Sequence, residues 1–293
     1  MHQTTRPLLT SRIQDIRRNR AQIFLLLCVV LWATTFIVMK RGLAVISPGL
    51  LIFVRFAAAS VVVYACFHRR ISWTKLNICK GVAIGLPAFA GFLLQVTGLT
   101  MTTSSKSAFI TGLCVVIAPV LSVIFLHERH SRRTAAALLF AVCGLWIISF
   151  GFTLHPGRMG TGDILTILGA VAFSIQVLAI QRFSDTGSFY AATFFQLITV
   201  TVCSFLYLLA TRQTFAVPPA SWPLLLYLAL FTTVITLLLQ NRFQREITVA
   251  QASVIYALEP VFTAILAALL LREHIGPAIL AGGALLVLAS ALS

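Results

Sequence analysis

Residues 21–39 read AQIFLLLCVVLWATTFIVM, an uncharged apolar run that decides the fold class. At about 1.5 Å of rise per residue, a helix of this length crosses most of the roughly 30 Å hydrocarbon core of a bilayer. We expect an all-α integral membrane protein, because the strands of a membrane barrel would be shorter and would alternate. The runs predict ten transmembrane helices, at 21–39, 49–67, 80–99, 105–126, 134–152, 163–181, 188–210, 221–240, 249–271 and 276–292.

The overall composition points the same way. Apolar residues make up 59% of the chain and charged residues only 10%, with a mean hydropathy of +0.98. A soluble globular domain carries roughly 25% charge, so lipid must cover much of this exterior. The net charge of +15 does not indicate nucleic-acid binding, because the basic residues cluster in short segments between apolar runs. The expected surroundings are the lipid bilayer, with no nucleic-acid partner.

The distribution of positive charge predicts the orientation. With the N-terminus inside, one of the 22 Lys and Arg residues, Arg55, lies within a span, six lie outside and the remaining 15 lie inside. Cytoplasmic loops are enriched in Lys and Arg, so both termini are expected in the cytoplasm of a multi-pass protein of the inner (cytoplasmic) membrane. No linker is long enough to hold a soluble domain.

The two halves of the chain match each other weakly. The first two spans of each half align when Trp32 is placed opposite Phe173, and we call this spacing the first offset. From the third span onward the halves align better when Gln95 is placed opposite Gln240, and we call this spacing the second offset. Five spans per half is an odd number, so the second half would enter the membrane inverted, a common plan among secondary transporters. The predicted organisation is a basic cytoplasmic segment at 1–20 and two inverted five-helix repeats at 21–152 and 163–292.

Several short motifs, in this order and spacing, resemble those of the drug/metabolite transporter superfamily, in its ten-helix form with two EamA-type repeats. The motifs are Leu31–Phe36, Arg55-Phe56, Lys106–Leu113 with Pro119, Glu128-Arg129, Gly162-Asp163, Leu258–Val261 and Arg272-Glu273. The resemblance covers nearly the whole chain from about residue 21. It implies two five-helix units around a central cavity and movement of small molecules across the cytoplasmic membrane, often outward.

The expected function is therefore alternating-access transport of a small polar metabolite, with efflux favoured over uptake. Hydrolase, kinase and redox motifs do not occur in the sequence, and no metal site or cofactor is predicted. A membrane-embedded enzyme and a non-transporting scaffold stay open as alternatives. Nothing in the sequence specifies an oligomeric state. Small residues such as Gly81 and Gly85 predict close helix packing instead of chemistry.

Polar residues within the spans are the candidates for the substrate path, because intramembrane polar groups face a bundle interior or a cavity. Arg55 is either a cavity cation for an anionic substrate group, or a helix tie or snorkelling side chain. Glu259 is a coupling site, a substrate-amine contact, a partner of Arg55 or a structural carboxyl. Together they would suit a zwitterion such as an amino acid. The predicted path residues are Trp32, Thr35, Arg55, Gln95, Gln176, Gln240, Tyr256 and Glu259.

Overall fold

A computed structural model describes residues 6–102, 104–152, 159–271 and 276–292, and all regular structure in these residues is helical. Ten main helices occupy them, and each predicted span falls on one. They are α1 (Arg6–Gly42), α2 (Pro48–Phe67), α3 (Lys75–Met101), α4 in two halves (Ser104–Gly112 and Cys114–Phe125), α5 (Arg132–Phe150), α6 (Thr161–Phe183), α7 (Phe189–Ala210), α8 (Trp222–Ala229, a π-helical turn at Leu230–Ile235, and Thr236–Phe243), α9 in two halves (Val249–Tyr256 and Glu259–Leu271) and α10 (Pro277–Leu292).

Eight of these helices, counted over the described residues, are long and apolar enough to cross a membrane by length and composition. They are α1 to α4 and α6 to α9. The other two are α5, with 19 residues, and α10, with 16. The prediction of an all-helical, multi-pass membrane protein is confirmed, while the count of ten crossings stays a prediction.

Hydroxyl side chains mark where several helices begin. Ser47, Thr74, Ser131 and Thr248 each accept a hydrogen bond from the backbone N–H three residues later. These N-caps satisfy donors that the helix itself leaves unpaired.

The carboxylate of Glu128 also caps the start of a helix, although Glu128 is far from that helix in the sequence. It accepts from Val249 N, the first residue of α9, at 3.3 Å. The sequence predicts instead a loop salt bridge between Glu128 and a neighbouring arginine. That prediction is wrong, because the N–H group of Val249, which has no partner within its own helix, and the positive end of the α9 dipole attract the carboxylate. Glu273, for which the sequence predicts the same kind of salt bridge, lies outside the described residues.

Helix packing follows a five-helix pattern. The helix α2 packs on α7 and α5 on α10, while α3 packs on α6 and α7 and α4 packs on α6. If the two halves are equivalent, α3 and α4 correspond to α8 and α9, while α6 and α7 correspond to α1 and α2. The equivalent contacts are then α8 on α1 and α2, and α9 on α1, and these contacts are also present. The packing therefore fits an architecture of two five-helix units.

Equivalent hydrogen bonds occur in both halves. Lys40 donates to the carbonyl of Thr102 at 2.8 Å, and Gln181 donates to the carbonyl of Ile247 at 3.1 Å. The donors are related by the first offset and the acceptors by the second. These are the same two offsets that align the halves of the sequence.

The interruptions of α4 and α9 are also equivalent. The helix α4 is broken at Leu113 and α9 at Ala257 and Leu258, and the second offset relates Leu113 to Leu258. Pro260 follows directly after the break in α9, as expected for a residue that cannot donate to the preceding turn. The break places Glu259 at the first position of a new helix.

Glycines hold α3 against two neighbours. A Cβ on Gly81 would overlap the Cβ of Phe195 in α7, and a Cβ on Gly98 would lie 2.5 Å from Thr166 Oγ1 in α6. Only a residue without a side chain allows such close backbone approach. The close packing predicted at Gly81 is confirmed.

Candidate functional site

One cavity is lined by α1, α2, α3, α4, α6, α8 and α9. Side chains that are far apart in the sequence meet on its wall. All eight residues singled out from the sequence are among them: Trp32, Thr35, Arg55, Gln95, Gln176, Gln240, Tyr256 and Glu259.

Arg55 is fully buried, with 1% of its surface exposed, and ties α2 to α8. Its Nε donates to Thr233 Oγ1 at 2.6 Å, and its Nη2 donates to the Thr232 carbonyl at 3.0 Å. The guanidinium also lies 5.5 Å and 5.2 Å from the ring centres of Phe56 and Phe92. Its Nη1 also donates to the Met39 sulfur at 3.6 Å. Among the described residues no carboxylate contacts it, so neutral groups and aromatic faces offset the charge.

The acceptors of Arg55 lie in the π-helical turn of α8. Within this turn the Thr233 hydroxyl donates to the Leu228 carbonyl at 2.8 Å, five residues back, and the Thr232 hydroxyl donates to the same oxygen at 3.0 Å. Turns of this kind are rare and frequently occur at functional sites. Here the turn presents two hydroxyl oxygens and a carbonyl to one guanidinium.

Two amides on the cavity wall, one from each half of the chain, make matching hydrogen bonds. Gln95 Nε2 donates to Thr111 Oγ1 at 2.9 Å, which links α3 to α4. Gln240 Nε2 donates to the Tyr256 hydroxyl at 3.4 Å, which links α8 to α9. The helices α3 and α4 correspond to α8 and α9, so the two bonds join equivalent helices in the two units.

A further buried amide extends the second pair. Gln244 Oε1 accepts from the Tyr256 hydroxyl at 3.0 Å and from Gln240 Nε2 at 3.1 Å. Gln244 Nε2 donates to the Val177 carbonyl of α6 at 2.8 Å. This network ties α6, α8 and α9 together beside the cavity, and the Gln240 Oε1 atom is buried without a partner among the described residues.

Aromatic rings form the apolar part of the wall. Trp32 and Tyr256 meet edge to face with ring centres 5.4 Å apart, and Phe92 and Phe173 do so at 5.1 Å. Such pairs favour this geometry because the ring edges are positive and the faces negative. The cavity thus combines rigid apolar faces with a few polar groups, as small-molecule sites do.

Glu259 is half-buried on the cavity wall, at the break between the two halves of α9. No side-chain hydrogen bond or ion pair reaches its carboxylate within the described part of the chain. The alternative in which Glu259 pairs with Arg55 is therefore wrong: Arg55 is held by Thr232 and Thr233. The carboxylate faces the cavity without a compensating charge.

The remaining two predicted residues are Thr35 and Gln176. The Thr35 hydroxyl donates within its own helix, to the Leu31 carbonyl at 3.4 Å. Gln176 is buried on the α6 wall of the cavity. Both line the cavity.

Twelve further lining residues were not predicted as path residues, and Phe92, Thr111, Cys114 and Phe173 are among them. The internal repeat could have predicted two of them, Thr111 and Phe173. The second offset relates Thr111 to Tyr256 and the first relates Phe173 to Trp32, so each is the counterpart of a residue that was chosen. Phe92 and Cys114 look like ordinary packing residues in the sequence.

Comparison with known proteins places this chain among transporters. A crystal structure with a TM-score of 0.74 and 18% sequence identity covers 94% of this chain and 96% of its own, which shows a common fold. An "uncharacterized transporter" of Archaeoglobus fulgidus is 28% identical over 278 residues, covering 94% of this chain and 86% of that protein. The "uncharacterized transporter YyaM" of Bacillus subtilis is 26% identical over 243 residues, covering 79% and 80%.

The family comparison covers nearly the whole chain. The model of the EamA-like transporter family matches twice, at residues 19–150 and 160–293. The two matches fall on α1 to α5 and on α6 to α10, in agreement with the resemblance inferred from the sequence motifs. The chain belongs to the EamA-like transporter family.

Proposed function

We propose that this chain is a secondary transporter that moves a small polar metabolite across the cytoplasmic membrane by alternating access. The single observation that carries the proposal is the central cavity, which is lined by helices of both units and by eight polar or aromatic residues expected from the sequence. Outward movement is the direction that the family resemblance favours.

The proposed topology has ten crossings in two inverted five-helix units, with both termini in the cytoplasm. The eight apolar helices, together with α5 and α10, supply ten segments. The excess of positive charge in alternate loops supports the orientation. The equivalent hydrogen bonds of Lys40 and Gln181 support the repeat.

The charges on the cavity wall favour a zwitterionic substrate such as an amino acid. Arg55 has only neutral partners, and Glu259 has no side-chain partner among the described residues. Two opposite charges that line one cavity without ionic partners would each be stabilised by the opposite end of a zwitterion. Glu259 would receive the ammonium group, and Arg55 would attract the carboxylate.

The test compares transport by the parent protein and Glu259→Gln in proteoliposomes. Amide replaces carboxylate with little change in size, so we expect normal levels in the membrane and flux reduced about tenfold or more, because hydrogen bonds to charged groups contribute roughly 1.5–3 kcal/mol. The substrates are amino acids, each paired with its decarboxylated amine and its deaminated acid.

The control is Glu246→Gln, which removes a carboxylate paired with Arg242 at 2.6 Å, away from the cavity. Its flux should equal that of the parent. Transport at parental rates by Glu259→Gln would remove the role proposed for this carboxylate. If the decarboxylated amines move as fast as the amino acids, the zwitterion proposal is wrong while transport stands.

A further inference from the structure

A second groove lies on the outside of the helices, between α3, the end of α4 and α6. It is a shallow groove that is open to the outside, and it shares no lining residue with the central cavity. Phe125 and Phe183 form its rims, with 69% and 38% of their surfaces exposed. Leu178 forms part of the floor, and the small side chain of Ala83 leaves room on the α3 side.

One charged residue lines this groove. Arg182 lies in the last turn of α6, is exposed, and has no hydrogen-bond or ion-pair partner within the described part of the chain. Asp185, the acid that follows it, is already occupied: Lys80 Nζ donates to its Oδ2 at 2.7 Å and the Ser188 hydroxyl at 2.6 Å. The groove therefore ends at a cation without a counter-charge.

We propose that this groove binds one anionic phospholipid, with an acyl chain along the apolar walls and the phosphate group at Arg182. An amphiphile is the chemistry that fits an apolar groove with a cation at one end. Guanidinium groups match phosphate oxygens with paired N–H donors, and basic residues at the membrane surface attract anionic lipids. A zwitterionic lipid would occupy the same groove but would be attracted less strongly by Arg182.

The test uses the full chain, purified in detergent and supplied with phosphatidylglycerol or phosphatidylcholine of identical acyl chains. Native mass spectrometry measures the lipid retained, and thermal unfolding measures stabilisation. The parent should prefer phosphatidylglycerol, and Arg182→Gln should lower this preference about fivefold. Arg69→Gln, which removes an exposed cation that does not line the groove, should leave it unchanged. Ala83→Leu fills the groove and should reduce retention of both lipids.

Three results would overturn the proposal. Equal effects of Arg182→Gln and Arg69→Gln would mean that diffuse surface charge attracts the lipid. Stabilisation by inorganic phosphate equal to that by phosphatidylglycerol would mean a free-anion site. Undiminished lipid retention by a folded Ala83→Leu variant would place the acyl chain elsewhere.

Discussion

Gln95 and Gln240 make the same hydrogen bond in the two halves of the molecule. Each donates its amide to a hydroxyl sixteen residues later, Thr111 in one case and Tyr256 in the other. The separation of the two amides is the second offset, which aligns the repeats from the third span onward, and it also relates their two partners. Both pairs lie on the wall of the central cavity.

This equivalence predicts matching energetics. We expect double-mutant cycles of Gln95→Leu with Thr111→Val, and of Gln240→Leu with Tyr256→Phe, to give favourable coupling in both halves. The coupling should be about 0.5–1.5 kcal/mol, typical of hydrogen bonds between membrane helices. Thermal or denaturant unfolding in a fixed detergent measures it. A cycle without coupling in either half would show that the equivalence is geometric only.

Arg55 is predicted to be sensitive even to lysine. The variant Arg55→Lys keeps the charge but loses the fork that reaches Thr233 and Thr232 together. We expect it to destabilise the purified protein by about 1.5–3 kcal/mol, the usual contribution of hydrogen bonds to charged groups. Arg70→Lys is the matched control, because Arg70 makes a single exposed bond to Tyr190. Equal stability of the two variants would contradict the tie between α2 and α8.

The proposed orientation predicts a labelling pattern. In a background without the six native cysteines, Thr214→Cys should react with an impermeant thiol reagent added to intact cells, because it follows the outer end of α7. Ser72→Cys and Ser131→Cys should react only after the membrane is permeabilised. Both serines are exposed in the structure, so shielding by the protein would not explain protection. Reaction of Ser131→Cys in intact cells would reverse the topology.

The Lys80–Asp185 ion pair predicts a pH profile. Burial would raise the pKa of Asp185, but hydrogen bonds from Lys80 and Ser188 outweigh it and lower the pKa from 3.8 to about 2. The stabilisation is therefore fully present above pH 3.8 and is lost as the pH falls toward 2.

Asp185→Asn should consequently reduce stability by a constant amount from about pH 5 to pH 8. The loss should not exceed about 1 kcal/mol, because the Lys80 and Asp185 side chains are 19% and 36% exposed. Unfolding measured across this range gives the difference directly. A difference that grows toward pH 5 would assign the effect to another group.

Much of this site follows from local sequence. The lengths of the apolar runs predicted where each helix lies, and Pro260, which cannot donate a backbone hydrogen bond, accounts for the break beside Glu259. The hydrogen bonds of Arg55 could not be predicted in the same way. They depend on the π-helical turn at Leu230–Ile235, and threonines in an apolar run do not distinguish such a turn from an ordinary helix. Which helix faces Arg55 is set by packing across the bundle, which no local pattern contains.

The glycine contacts of α3 have a mechanical consequence. At Gly81 and Gly98 the backbone of α3 touches α6 and α7 with no side chain between them, so these three helices form a stiff frame. The second offset places Leu226 and Phe243 at the equivalent positions of α8. The Phe243 ring stacks on Phe24 of α1 with ring centres 4.4 Å apart, so side chains separate these two helices at that position. We therefore expect α3 to be held more rigidly against its neighbours than α8 is held against α1.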